Sequence, residues 1–234
     1  MSGKSIYWIL QNKADVPADD DWLSAKEKVL LAGMKFPKRR GEWRLGRWTA
    51  KKLIRSYLKI IDSREYKFPD LEILPAEDNS PEAFVLKKPS TFKISISHRV
   101  NTGFCALNPA TNSIGCDLEN IEERSDAFVT DYFTFEEKLK VILAAEEDKP
   151  LLANLIWSAK ESVLKTLRQG LNSDTRSVFL DLDDLEIKKG WNKIKARSIE
   201  FNRDFYGWWQ HNGNYILTIF SAEITDLPIE LNKA

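Results

Sequence analysis

The sequence predicts an α+β protein built from two halves. Three observations support this prediction. Apolar residues recur with helical spacing in several segments, and short β-branched and aromatic runs recur between turn-forming residues. Both patterns occur on each side of a turn at residues 108–112. We therefore expect one half at residues 1–110, a second at residues 111–225 and a tail at residues 226–234.

The first half is predicted to contain two helices and four strands. The triple aspartate at residues 19–21 supplies cap residues for the first helix, and Phe36-Pro37 separates it from the second. A stretch rich in Pro, Asp and Glu at residues 68–81 is predicted to be a loop. The helices are placed at residues 22–34 and 38–61, and the strands at residues 5–10, 83–86, 92–97 and 103–107.

The second half is predicted to contain three helices among four strands. The helices are placed at residues 126–133, 136–145 and 151–167, and the strands at residues 113–119, 178–182, 193–201 and 215–221. The aromatic segment at residues 205–210 is expected to connect the last two strands. The tail from Asp226 is expected to be mobile.

The composition restricts the classes of function. The chain has 234 residues, 43% of them apolar, with 35 basic residues balancing 35 acidic ones. A molecule without net charge is not drawn as a whole to nucleic acid or to an anionic membrane, so a basic site must be local. Cys105 and Cys116 lie among small and apolar neighbours, which favours buried thiols in a reducing compartment. The expected location is cytoplasmic, with no targeting segment and no membrane span.

Two acidic residues stand at alternate positions of the strand that opens the second half. Alternation places Asp117 and Glu119 on the same face, together with Gly115. Two carboxylates so close repel each other, and a hard cation such as Mg²⁺ between them would relieve that cost. Gly115 would let a ligand approach the backbone closely. The alternative is a strand end that faces solvent.

The third helix of that half carries a second group of functional residues. Helical spacing places Glu161 and Lys165 opposite the apolar stripe, with Trp157 beside them. Glu161 and Lys165 are also spaced for an ordinary ion pair on an exposed helix. A large aromatic side chain beside charged residues usually covers something, so Trp157 argues against a purely solvated face.

A basic face on the second helix of the first half is the third feature. Arg40, Arg44, Arg47 and Lys51 follow one another at helical spacing in an otherwise neutral protein. Arginine side chains suit phosphate oxygens, but a solvated face and a nucleic-acid stripe are alternatives. His98 ends a strand on the same face as apolar residues, which predicts a histidine packed in the core. With only two histidines present, a zinc site built on Cys and His is not expected.

Taken in order, five segments resemble the 4′-phosphopantetheinyl transferases of the Sfp-like (surfactin-synthetase-activating) group. They are KRRGEWRLGR at residues 38–47, ISISH at 94–98, IGCDLE at 114–119, YFTFEE at 132–137, and WSAKESVLK at 157–165 followed by GL at 170–171. The first and last of these segments bracket more than half of the chain.

The resemblance implies a fold of two similar α+β halves related by a pseudo-twofold, with the active site in the cleft between them. It implies that Asp117, Glu119 and Glu161 surround Mg²⁺. It also implies that coenzyme A is the co-substrate, with Lys160 and Lys165 at its pyrophosphate. The residues expected to bind the phosphates of coenzyme A are Arg40, Arg47, Ser97 and His98. Glu137 matches an acidic residue of the family for which we assign no role at this point.

The reaction implied is that of a holo-[acyl-carrier-protein] synthase. The chain would transfer phosphopantetheine from coenzyme A to a serine of apo acyl or peptidyl carrier proteins and release adenosine 3′,5′-bisphosphate. Those carriers serve fatty-acid, polyketide or nonribosomal-peptide synthesis. Glu161 is expected to accept the serine proton, directly or through water, and Lys165 to stabilise the developing charge. The resemblance also implies a monomer that binds neither nucleic acid nor membrane. The alternative function is a polyanion or nucleic-acid binding module that uses the basic face from Arg40 to Lys52.

Overall fold

The structure is a computed structural model that describes residues 5–110, 112–169, 173–183, 185 and 188–231. The chain divides into two compact units. Unit 1 comprises Met1–Asn112 together with Pro228–Ala234, and unit 2 comprises Ser113–Leu227. Each unit combines helices with a mainly antiparallel sheet, which confirms the predicted α+β class. Among the described helices, none has the length and apolar character needed to cross a bilayer.

Unit 1 is built around one long helix and two sheets. Its elements are β1 (Tyr7–Asn12), α1 (Ala25–Ala32), α2 (Pro37–Asp62), β2 (Leu71–Pro75), β3 (Pro81–Val85), β4 (Lys88–Pro89), β5 (Lys93–Arg99), β6 (Thr102–Asn108) and β12 (Ile229–Glu230). The sheets have the orders β12-β1-β6-β5 and β2-β3-β4. Helix α2 begins at Pro37, since a proline at the first helical position loses no helical hydrogen bond. Its apolar face packs with β1, β5 and β6 in one core.

Helix α1 begins later than the sequence predicted. Trp22 and Leu23 are buried ahead of the helix, and the cap residue is Ser24 rather than an aspartate of residues 19–21. Ser24 and Glu27 form a capping box, in which each side chain accepts a hydrogen bond from the other's backbone N–H. The capping box therefore sets the start of α1.

Glu27 also takes part in a buried ion pair with Lys51 of α2. Lys51 Nζ lies 2.6 Å from Glu27 Oε2, and both side chains have 0% of their area exposed. The ammonium group also donates to the carbonyl oxygens of Trp22 and Phe68. The backbone N–H of Ile73 in β2 donates to the other carboxylate oxygen, at 3.1 Å. The pair therefore joins α1, α2 and β2.

Unit 2 has a single five-stranded sheet within its described residues. Its elements are β7 (Ile114–Asn120), α3 (Asp126–Tyr132), α4 (Phe135–Leu143), α5 (Lys149–Thr166), β8 (Val178–Asp181), β9 (Asn192–Ser198), β10 (Arg203–Asn212) and β11 (Tyr215–Ser221). The strand order is β7-β11-β10-β9-β8, with every pair antiparallel. Helix α5 packs across this sheet, and its apolar side lies in the core of the unit.

The aromatic segment at residues 205–210 is a strand, although the sequence predicted a connection. It forms the middle of β10, where Phe205, Gly207 and Trp209 are buried and the residues between them are half-buried. Gly207 interrupts the aromatic pattern because it lies opposite Phe220, whose ring atoms would be 2.7 Å from an added Cβ. The glycine makes room for that ring.

Three further strands lie where none was predicted. Strand β4 has two residues and pairs with β3. Strand β2 lies inside the expected loop at residues 68–81; it is short and flanked by Pro and Asp, but Leu71 and Ile73 are fully buried. Strand β12 lies in the tail that was expected to be mobile. It pairs in parallel with β1, with Tyr7 opposite Ile229, and so belongs to unit 1.

The contact between α5 and β7 depends on Gly115. A Cβ added to Gly115 would lie 1.8 Å from the carbonyl oxygen of Ser162 and 2.7 Å from the backbone nitrogen of Thr166. The sequence predicted that this glycine admits a ligand; instead it admits the helix. Ser158 and Ser162 of α5 also form hydrogen bonds with Thr218 of β11, at 2.9 and 2.7 Å between hydroxyl oxygens. The close approach of α5 to β7 and these hydrogen bonds fix the rotation of α5 about its own axis, and so which of its side chains face the sheet.

We predict that Gly115→Ala destabilises the protein by about 3 kcal/mol, because the obstacle is helix backbone that cannot move alone. Urea denaturation would measure the change. Gly41→Ala in α2 is the control, since its added Cβ would meet nothing closer than 3.7 Å. Equal stability of the two variants would contradict the role given to Gly115.

Candidate active site

One row of side chains on α5 faces the acidic residues of β7. Trp157, Glu161 and Lys165 are spaced by four residues and lie on the same side of the helix. Lys165 contacts Asp117, and Trp157 contacts Glu119, so the helix row runs antiparallel to the strand. The prediction that Asp117 and Glu119 share a face is therefore confirmed, and that face is turned towards α5.

Lys165 forms its ion pair across the contact between helix and strand. Its Nζ lies 2.7 Å from Asp117 Oδ1 and donates to the carbonyl oxygen of Cys116 at 3.1 Å. The Asp117 side chain is 6% exposed and that of Lys165 is 27% exposed. Burial lowers the pKa of Lys165, but Asp117, Cys116 and Glu161 outweigh it and leave the pKa raised. Lys165 therefore carries a positive charge and remains partly open to solvent.

Glu119 accepts hydrogen bonds from Trp157 and Arg124. Trp157 Nε1 donates to Oε1 at 3.1 Å, and Arg124 Nη2 donates to Oε2 at 3.1 Å. Trp157 in turn packs against Phe128 and Tyr132, with ring centroids 5.0 Å apart in each case. The aromatic residue noted in the sequence thus covers one side of the acidic site.

Glu161 of α5 is the third acid of the group. Its Oε1 is buried and accepts no hydrogen bond from any residue that the structure describes. Burial raises its pKa to about 7, Lys165 opposes that rise, and Asp117 and Glu119 add to it. A carboxyl group with a pKa near neutrality can hold or release a proton at physiological pH.

The chemistry of these side chains fits a hard divalent cation. Three carboxylates supply oxygen ligands, and Glu161 Oε1 is buried without a protein donor among the described residues. Their present arrangement is different: within the described part of the chain, no three acidic, His or Cys side chains are grouped so as to hold a metal ion. Lys165 and Arg124 instead pair with Asp117 and Glu119.

Lys160, which was expected at the pyrophosphate, is in the core of unit 2. Its Nζ lies 2.8 Å from Glu137 Oε2 and donates to the carbonyl oxygens of Thr175 and Val178. Its side chain is 0% exposed. Burial lowers the pKa of Lys160, although Glu137 opposes that effect. One position along a helix is a turn of about 100°, which separates Lys160 from the row that contains Glu161.

Glu137 now has a definite place. It closes a capping box with Thr134 at the start of α4, and its Oε1 accepts a hydrogen bond from the backbone N–H of Leu180 in β8. Together with Lys160 it joins α4, α5 and β8. The side chain is 2% exposed, so its observed role is structural.

Unit 1 contains a basic pocket of about 660 Å³. Its lining residues are Phe36, Lys38, Arg39, Glu42, Trp43, Gly46, Arg47, Asn79, Pro81, Ile96 and His98. The Arg47 guanidinium lies 4.7 Å from the centre of the Trp43 ring, and burial lowers the pKa of Arg47 to about 10 while Glu27 opposes this. His98 is exposed at this pocket, so the expectation of a core histidine was wrong. Cationic and aromatic side chains of this kind suit a phosphorylated ligand.

The other predicted phosphate-binding residues of unit 1 do not line this pocket. Arg40 Nη1 donates to the carbonyl oxygens of Leu31 and Met34, at the carboxyl end of α1. Ser97 is buried in β5, with 8% of its area exposed. The structure thus brings together Arg47 and His98, with Arg39 and Lys38, and places Arg40 and Ser97 elsewhere.

The basic face from Arg40 to Lys52 is largely engaged within unit 1. Arg44 donates to the carbonyl oxygens of Ala18 and Asp19 and pairs with Asp20 at 3.2 Å. Lys51 is buried against Glu27. Arg44 and Lys51 are therefore engaged by other groups of unit 1, whereas Arg47 of the same face lies at the basic pocket.

The sequence analysis missed Arg124 and Asn154. Arg124 is the only basic residue between Glu119 and Asp126, and a lone arginine in this acidic segment could have indicated an ion pair. Asn154 looked like an ordinary polar residue on α5, yet it is fully buried and accepts a hydrogen bond from Arg124. The expected segment GL at residues 170–171 lies outside the described residues.

We predict that Lys160→Met destabilises the protein by about 3–5 kcal/mol, since it leaves the buried Glu137 carboxylate without its cation. Urea denaturation would measure the change in the free energy of unfolding. Lys149→Met, at an exposed ion pair with Glu146 on the same helix, should cost less than about 1 kcal/mol. A stable Lys160→Met protein with weakened coenzyme A binding would instead support the pyrophosphate role.

We predict that Glu161→Gln changes how stability depends on pH in protein freed of metal by a chelator. Because the pKa of Glu161 is raised from 4.5 to about 7, ionising it disfavours the folded state, and wild-type stability falls as pH rises through 7. The variant should therefore gain on the order of 2 kcal/mol relative to wild type between about pH 5 and about pH 8. Urea midpoints at both pH values provide the test, and exposed Glu136→Gln provides the control. A difference in stability between Glu161→Gln and wild type that is the same at both pH values would contradict the raised pKa of Glu161.

Comparison with known proteins adds to this geometry. Residues 113–220, a little under half of the chain, match the model of the 4′-phosphopantetheinyl transferase superfamily (ACPS). A similar solved structure is the Thermotoga maritima holo-[acyl-carrier-protein] synthase (AcpS), with 21% sequence identity and a TM-score of 0.37. The match covers 56% of this chain and 74% of the synthase chain. No curated protein matches the chain. The part of the chain that matches the superfamily lies in unit 2 and contains Asp117, Glu119, Glu161 and Lys165.

Proposed function

We propose that the chain transfers 4′-phosphopantetheine from coenzyme A to a serine of an apo acyl or peptidyl carrier protein. One observation carries this proposal. The contact between α5 and β7 brings three carboxylates and a partly exposed lysine together inside the segment that matches the superfamily model. The match supports phosphopantetheinyl transfer in general, whereas the Sfp-like group, the Mg²⁺ requirement and the carriers belong to the proposal.

The proposed reaction is a displacement at phosphorus. The serine oxygen forms a bond to the phosphate that carries pantetheine. The bond from that phosphorus to the bridging oxygen of the pyrophosphate breaks. Adenosine 3′,5′-bisphosphate leaves with the electron pair, and the carrier keeps a phosphodiester-linked arm. The serine proton needs an acceptor, and negative charge grows on the pyrophosphate oxygens.

Glu161 is the residue best suited to accept the proton. Its Oε1 is buried without a hydrogen-bond donor among the described residues, and burial raises its pKa to about 7 in the metal-free chain, so it can take up a proton near neutral pH. Lys165 suits the developing negative charge, since it is positively charged and 27% exposed beside Asp117. The two side chains lie one helical turn apart, so both can face the same reacting group.

Asp117, Glu119 and Glu161 would hold the divalent cation, for which Mg²⁺ is the natural choice. When bound, the cation neutralises charge on the pyrophosphate oxygens. The carboxylates then need partners that keep them in place, and Trp157 and the α5–β7 contact supply these.

The basic pocket of unit 1 is the proposed site for phosphates of coenzyme A. Arg47 is stacked on Trp43 and His98 is exposed at the pocket, which gives two side chains with N–H donors for phosphate oxygens. The roles of Arg40, Ser97 and Lys160 in binding remain predictions from the resemblance alone.

The Sfp-like arrangement of two similar halves is part of the same proposal. It is supported by a feature found in each unit: a lysine of the long helix, buried against the glutamate of a capping box. A pseudo-twofold with the site in the cleft, a monomeric state and a cytoplasmic location complete the proposal.

Intact-mass measurement of an apo carrier protein, incubated with the chain, coenzyme A and Mg²⁺, tests the proposal. We expect a gain of one phosphopantetheinyl group that disappears with a chelator or with a carrier that lacks the acceptor serine. Glu161→Gln should lower the rate at least about 100-fold, because it removes the proton acceptor.

Control variants separate loss of chemistry from loss of fold. Glu136→Gln, on the exposed side of α4, should transfer at the wild-type rate. Full activity of Glu161→Gln would remove Glu161 from the mechanism. No transfer to any of several carriers by folded wild-type protein would contradict the proposed function.

A further inference from the structure

Arg124 is a site residue to which neither the sequence nor the proposed reaction gives a role. It lies in the segment that follows β7, and its Nη2 is 3.1 Å from Glu119 Oε2. The two side chains are 14% and 13% exposed, so little water competes for this ion pair. Glu119 is one of the two acids of β7 that are proposed to bind the cation.

The guanidinium of Arg124 is itself held in place. Its Nε donates to Asn154 Oδ1 at 2.7 Å, and its Cζ lies 4.7 Å from the centre of the Phe128 ring. Asn154 is fully buried on α5, and its amide nitrogen donates to the carbonyl oxygens of Glu122 and Pro150 at 2.6 and 2.7 Å. Arg124 is therefore held by Asn154 of α5, by the Phe128 ring of α3 and by an ion pair with Glu122 at 3.4 Å, and not by Glu119 alone.

Two cations of the chain are thus paired with the two acids of β7. Arg124 pairs with Glu119, and Lys165 pairs with Asp117 at 2.7 Å. Among the described residues, the acids do not form a group of three that could hold a metal ion. The fixed position of Arg124 would place a positive charge next to any divalent cation that Glu119 binds.

We infer that Arg124 is a positioning residue that holds Glu119 in the metal-free protein and competes with the divalent cation for that carboxylate. The inference rests on the proposed function, because it takes Glu119 as a ligand. Arg124 would stabilise the metal-free site and set the metal concentration at which the site fills. Removing the charge of Arg124 makes the electrostatic potential at the Glu119 carboxylate more negative and removes repulsion of the cation, so metal affinity rises.

The test is thermal unfolding of the full chain in a titration with magnesium chloride. Arg124→Gln should melt at a lower temperature than wild type without metal, since a partly buried carboxylate has lost its partner. Its melting temperature should rise more than that of wild type as Mg²⁺ is added, with a midpoint at about 10-fold lower Mg²⁺ concentration. If Arg124 had a purely structural role, the variant would melt below wild type by the same amount without metal and with Mg²⁺.

Two further variants make the result specific. Arg197→Gln removes an arginine ion pair with Asp204 elsewhere in unit 2 and should respond to Mg²⁺ as wild type does. Arg124→Lys keeps the charge but cannot bond Asn154 and Glu119 as the planar guanidinium does, so its midpoint should lie between wild type and Arg124→Gln. It also replaces Arg124→Gln as the test if the latter does not fold.

The outcomes separate the inference from the function. If Mg²⁺ raises the melting temperature of wild type and raises that of Arg124→Gln by the same amount or less, the inference is overturned and the proposed function stays intact. A folded wild type and variants that all ignore Mg²⁺ overturn the metal site and the inference together. Isothermal titration with manganese chloride, a second divalent cation, gives the same ranking of affinities if the inference is correct.

Discussion

A buried lysine–glutamate pair is the interaction on which the rest of unit 2 depends. The Lys160 ammonium group has three hydrogens and three acceptors: one oxygen of Glu137 and two backbone carbonyl oxygens. Because every donor is satisfied, the charge can lie in a core where an unpaired one could not. Lys51 of unit 1 is satisfied in the same way, by Glu27 and two carbonyl oxygens. In both units the glutamate closes a capping box, so one side chain starts a short helix and anchors a long one.

The anchored helix is also the helix that carries the site. Lys160 fixes one side of α5 to α4 and β8, and the adjacent side presents Glu161 to the acids of β7. Gly115 allows the two backbones to approach closely enough for Lys165 to reach Asp117. The raised pKa of Glu161 follows from that closeness, since burial and neighbouring carboxylates both disfavour its charge. The chemistry of the site is therefore a result of how tightly helix and strand pack.

Most of the fold could be predicted from the sequence because its helices and strands have clear periodicity. The failures have physical causes: Gly207 interrupts an aromatic strand to admit a ring, and β2 is hidden among turn-forming residues. Spacing alone placed Asp117 and Glu119 on one face of their strand, and Lys165 on one side of its helix with Trp157 beside it. That the two surfaces meet was implied only by the family resemblance. The burial of Lys160 did not, because its acceptors come from Glu137 and from residues near 175–178, which only the folded chain brings together. Arg124 was missed for the same reason, since its partner Asn154 is 30 residues away.

Strand β12 gives the chain an unusual order of assembly. Ile229 of β12 and Leu231, which follows it, donate hydrogen bonds to the carbonyl oxygens of Ile6 and Trp8 and so cover one edge of β1. They are synthesised after the whole of unit 2, although they complete the sheet of unit 1. While the ribosome is making unit 2, β1 is an open edge that can pair with another chain. A nascent chain stalled within unit 2 would therefore carry a nearly complete unit 1 in which one edge of β1 is unpaired. Chaperones or neighbouring nascent chains could bind at that exposed edge.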